Sequence, residues 1–280
     1  MAENVYTTLA EADDEHRFAY GTGFTDPLAG VDHTVPGDVS RDDLTATCLA
    51  LGDDALVLSH RLQQWVTRAP ELEEETALAN VALDLLGQAR LLLTRAGQAD
   101  ESGHSEDWFA FRRAPGEMRN VRLVEREDAD FAEVVARLAV FSSWRLAVVD
   151  SLRSCGDPVL AAVCGRAVSE LTYHRDYAAG WVVRLGDGTD LSHERMQRAL
   201  EAVWPYVDEL FAGTLLDVEL AALRPAVDAV LDNVCTAATL VRPVVEPDVG
   251  GGRDGRHTAA LTEVLGEMQS IARAHPDATW

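Results

Sequence analysis

From Asp42 onward apolar residues recur with the period of a helix. Leu44, Cys48, Leu51, Ala55, Leu58, Leu62 and Trp65 alternate spacings of four and three, so they share one stripe. Pro70 closes this helix and helps to open the next, expected over about 71–98. The second helix begins with Glu71, Glu73, Glu74 and Glu75, acids that suit the positive end of the helix dipole. Its middle is apolar nearly all round, the mark of a buried helix. A long connection over about 99–129 precedes a third helix, expected over about 130–154. Asp157 and Pro158 read as N-cap and first residue of a fourth helix that stops at the GDGTD run, residues 186–190. Further helices are expected over about 192–211, 223–240 and 257–274. No repeat and no clear strand pattern is present, though the long connection has room for one or two short strands.

Residues 1–43 lack this periodicity and are rich in Gly, Pro, Thr and Asp. They read as an extension, flexible or wrapped over the surface, with a short helix over about 7–19. Residues 44–280 then form the helical domain. Two helix hairpins joined by a long crossover, with additional C-terminal helices, is the all-α, ferritin-like four-helix bundle.

Composition narrows the partners. Hydrophobic residues are 47% of the chain, enough for a large core, and the formal net charge is -23. So acidic a surface disfavours nucleic acid and anionic membranes. No run of uninterrupted apolar residues is long enough for a membrane span, and the N-terminal stretch has no basic leader pattern. All 24 basic residues are arginine, which removes lysine Schiff-base chemistry. Cys48, Cys155, Cys164 and Cys235 form no Cys-x-x-Cys pair and read as reduced core residues, which points to the cytoplasm.

A ferritin-like di-iron site needs a Glu from each of two helices and Glu-x-x-His from each of the other two. The second helix offers Asp84, with Gly87 at the histidine position. The fourth offers His174, with Leu171 at the acid position and Glu170 four residues away. The third has no acid between Glu133 and Asp150, and Ser142 and Ser143 stand at its middle. In the first helix Asp54 is the candidate. Two carboxylates and one histidine are too few donors to hold a metal pair, so no metal is expected in this chain. A buried polar network is expected instead, built from Asp54, Asn80, Asp84, Gln88, Glu170 and His174, with Tyr173 as a further partner of the pair. Asn80, Asp84 and Gln88 recur every four residues and form one polar stripe. Buried polar groups of this kind must be paired.

Weaker features surround this. His60 and His104 have no ligand-spaced partner, and Gly250-Gly251-Gly252 reads as a flexible link. The crossover gathers Arg112, Arg113, Arg119, Arg122 and Arg126 among Trp108, Phe109, Phe111 and Met118. Either these arginines pair with nearby surface acids, or they meet phosphates such as those of coenzyme A.

Four longer stretches carry a resemblance. LGDDALVLSHRLQQW (51–65) followed by APELEEETALANVALDLLGQAR (69–90) resembles the C subunits of bacterial phenylacetyl-CoA epoxidases. The likeness continues through YHRDYAAGWVVRLGDGTD (173–190) and MQRALEAVWPYVDELF (196–211) to His257, Thr258, Glu267, Gln269, Pro276 and Trp280. It covers about residues 44–280. The resemblance implies a ferritin-like, structural paralogue of a catalytic A subunit. That A subunit would carry the di-iron centre, a small B subunit would bridge the assembly, and a separate reductase would deliver electrons from NADPH. The reaction implied is epoxidation of the aromatic ring of phenylacetyl-CoA. Acyl-CoA contacts are implied at Glu117, Met118, Arg119 and Asn120, and at Val218, Glu219 and Leu220. The alternatives are an independent di-iron or mononuclear oxygenase or ferroxidase, and a bundle that binds acyl-CoA for itself.

Overall fold

The computed structural model describes residues 28–248, 250–276 and 278. The expected helix over 7–19 and the terminal Trp280 lie outside the described residues. Four long helices form the body: α1 (Arg41–Gln63), α2 (Leu72–Ala99), α5 (Phe131–Leu152) and α6 (Pro158–Gly186). The crossover carries α3 (Glu106–Phe111), a 3₁₀ turn (Pro115–Glu117) and α4 (Arg122–Glu125). After the bundle come α7 (Asp190–Val203), α8 (Leu220–Ala237), α9 (Ala259–Met268) and α10 (Ser270–Ala274). Hairpins α1/α2 and α5/α6 pack internally, α2 lies against α6, and α7 and α8 cover α5. This is the all-α, ferritin-like arrangement.

Local chemistry sets the helix ends. The Ser40 hydroxyl accepts from the Asp43 amide at the start of α1, Asp130 accepts from Glu133 before α5, and Asp157 accepts from Leu160 before α6. The α1 stripe from Leu44 to Trp65 is wholly buried. Residues 28–40, part of the extension expected to be flexible or wrapped over the surface, lie on the bundle: Leu28, Val35 and Val39 pack on its core, and the His33 carbonyl accepts from Arg95 at 2.7 Å.

The structure departs from expectation downstream. The helix expected over 192–211 ends at Val203 and continues as 3₁₀ turns, because Pro205 cannot donate to the helical ladder. The last helix is broken at Gln269, whose side chain is buried and donates to the carbonyls of Ala110 and Arg113. The two short strands lie at Thr214–Leu215 and Val218–Glu219, not in the crossover. The glycine run is no flexible link. Gly250 and Gly251 adopt positive φ, and an added Cβ on Gly252 would collide with the Asn120 carbonyl oxygen. The Gly251 and Gly252 amides both donate to buried Glu209 (3.0 and 2.8 Å), so the loop is clamped to the bundle.

Candidate functional site at the bundle centre

Asp53 and Asp54 stand side by side in the middle of α1 with no exposed surface. Ionised acids there need strong partners. Arg113 of the crossover grips Asp53 with two N–H groups, and the Arg119 amide donates to the same carboxylate at 2.8 Å. Burial still pushes the Asp53 carboxyl above its ordinary range, against the opposing pull of Arg113. Asp54 takes both ends of the Arg253 fork (3.0 and 2.7 Å) and the Val121 amide (2.8 Å). The two acids therefore tie the crossover and the C-terminal loop to α1. Asp54 does not join Asp84 and His174, as the sequence suggested.

The second cluster lies on the seam between α2 and α6. Asp84 and Gln88 on one helix, and Glu170 and His174 on the other, each stand four residues apart and so face the same way. His174 is fully buried, and its Nε2 lies 3.0 Å from Asp84 Oδ2. Its Nδ1 is buried with no hydrogen-bond partner among the described residues. Gln88 donates to Glu170 at 3.0 Å, and Arg166 donates to the other Glu170 oxygen at 2.9 Å. Tyr173 lies edge-on to His174, half exposed, and stacks on Tyr177. Asn80 is exposed and is not part of the cluster, because the stripe turns outward one turn before Asp84.

Between these clusters stands a residue outside the expected set. Arg145 of α5 has no exposed surface. Its Nε donates to Gln88 Oε1 at 3.2 Å and its Nη1 to the Leu51 carbonyl at 3.1 Å, with the Phe141 ring beside it. Burial lowers its pKa to about 10, so it stays a cation at neutral pH. The signal was present in the sequence. Leu138, Phe141, Arg145, Val148 and Leu152 alternate spacings of three and four, which puts one arginine on an apolar stripe.

A metal pair does not fit these residues. Both Asp54 oxygens face Arg253, and the donors of Asp84, Glu170 and His174 do not converge. Among the described residues, the one group of three acid, His or Cys donors within 4.8 Å of one another is Glu71, Glu73 and Glu74, at the outer start of α2. That is an acidic helix start, as expected from its dipole. The thiols offer nothing more: burial pushes Cys164 up to about 12 and Cys48 well above its ordinary range.

Of the crossover arginines Arg113 is buried, Arg119, Arg122 and Arg126 are half-buried, and Arg112 is exposed. Arg113 meets Asp53, Arg122 meets Asp248 at 2.6 Å, and Arg126 meets Glu133 at 3.0 Å. Arg112 and Arg119 donate to carbonyls of Pro276, Gly116 and Met118. Of the residues implied in acyl-CoA contact, Met118, Asn120 and Leu220 are buried, Arg119 and Val218 are half-buried, and Glu117 and Glu219 are exposed.

Fold and site together define a class: a ferritin-like helical bundle that keeps the four-helix frame of the di-iron carboxylate proteins without their ligand set. The chain belongs to the family described as phenylacetic acid catabolic protein, whose profile matches residues 29–280. It is 40% identical over 248 residues to the C subunit of the 1,2-phenylacetyl-CoA epoxidase of Escherichia coli (strain K12), a match that covers 85% of this chain and 100% of that protein.

Proposed function

We propose that this chain is the C-type subunit of a phenylacetyl-CoA epoxidase, serving as a scaffold for a catalytic paralogue rather than as an oxygenase. One observation carries the scaffold reading: the bundle centre holds a buried arginine hydrogen-bonded to an amide and a carbonyl, where an oxygenase needs converging carboxylates. The reading assigns the di-iron centre and ring chemistry to an A subunit. A B subunit bridges the assembly, and electrons come from NADPH through a separate reductase. Phenylacetyl-CoA is then the substrate of the complex. The four free cysteines suit a cytoplasmic setting.

The scaffold reading needs a surface on which a partner docks, and α2 supplies one. By length and composition this helix is apolar enough to cross a membrane, yet its most apolar stretch is only 44% buried in the bundle. Leu72 and Leu83, about three turns apart on one face, are 72% and 60% exposed. Tyr173 is 51% exposed beside the same seam. Leu83 and Tyr173 each neighbour a seam residue in sequence, Asp84 and His174, and we take them as the docking surface.

Coexpression of the tagged chain with the other subunits tests both points. The wild-type chain is expected to retain the A subunit through purification. Leu83→Glu combined with Tyr173→Glu is expected to lower its recovery by at least ~10-fold, about 1.4 kcal/mol of binding, with an unchanged melting temperature. Elution of the wild-type chain as a lone monomer beside those subunits would overturn the scaffold reading.

A further inference from the structure

We infer that Arg145 is the resident cation of the bundle centre, taking in charge the place that metal ions hold in metal-bearing bundles of this fold. Its contacts reach every wall of the bundle. The guanidinium lies on α5, has no exposed surface, and reaches α1 through the Leu51 carbonyl. It reaches α2 through Gln88, and Gln88 in turn reaches Glu170 on α6. One cation thus links all four long helices, as a metal cluster does.

Its electrostatic surroundings match. Asp54 from α1 and Glu170 from α6 lie near enough to attract it. Arg253, which repels it, is already held by Asp54. Among the described residues no acid forms a salt bridge with Arg145, whereas the buried Arg95, Arg113 and Arg137 each hold one aspartate. Gln88 is therefore the relay: its carbonyl oxygen accepts from the cation and its amide donates to the anion. A divalent ion entering this space would meet a permanent positive charge with no means of losing its proton.

The test uses the full chain and two substitutions. Arg145→Lys keeps the charge, while Arg145→Met keeps much of the volume and removes it. Arg145→Met is expected to lower the melting temperature by roughly 10 °C or to prevent folding, and Arg145→Lys to recover most of that loss. Wild-type chain titrated with Co(II) is expected to show no binding that disappears in His174→Ala. An Arg145→Lys variant as impaired as Arg145→Met would overturn the inference, and so would His174-dependent Co(II) binding by the wild-type chain.

Discussion

Asp53 and Asp54 on α1 have no exposed surface, and each is held by a guanidinium from a distant segment of chain. Asp84 and Glu170, on the α2–α6 seam, keep 37% and 17% of their side-chain surface. They are held by an imidazole, an amide and a half-exposed arginine. The difference is one of commitment. A charge sealed in a core must be matched by partners the fold supplies, and for Asp53 and Asp54 those are guanidinium groups. A carboxylate at a seam keeps some water, and a neutral or weaker partner suffices. The α1 acids have become clasps for the crossover and the C-terminal loop. The seam acids stay near the surface.

Removing one member of each cluster measures this contrast. Asp54→Ala removes the acceptor of the Val121 amide and the counter-ion of Arg253, which keeps only the Ala50 and Arg119 carbonyls, at an expected cost of about 3–5 kcal/mol. Urea unfolding reads it directly, and a loss below about 1 kcal/mol would break the clasp reading. His174→Ala removes one buried ring and one hydrogen bond, while Asp84 can turn to water. The expected loss is smaller, about 1–3 kcal/mol by the same measurement. Equal losses at the two sites would erase the distinction.

The smallest effect lies at the rim, where α9 docks on α1. Gln64 donates to Glu267 at 2.6 Å, and this bond, helped by His60, holds the carboxyl below its ordinary 4.5. A lowered folded value stabilises the dock above the unfolded pKa, and the gain is lost as the pH falls through the folded value. Amide exchange in α9 should therefore be faster in Glu267→Gln than in wild type at pH 6. The two should converge as the pH falls below the folded value. A difference that persists into acid would assign the contact to packing rather than charge.

The α1 stripe, the cap at Asp157, and the common face of Asp84 and Gln88 on α2 were all legible in the sequence. Each depends on spacing along a single helix. The half-motifs were legible too, since a missing donor is missing in any conformation. What the sequence could not assign was which charge meets which. Asp54 looked like a member of the Asp84 cluster until Arg253, 199 residues away, claimed it. Arg113 looked like part of a surface patch because the acid that buries it, Asp53, lies 60 residues earlier on α1. The glycine run looked loose because its anchor, Glu209, is 42 residues earlier. Helix periodicity is a local property and is written in the chain. Charge pairing in a core is a property of space, decided where segments remote in sequence meet under desolvation, and only the tertiary structure holds it.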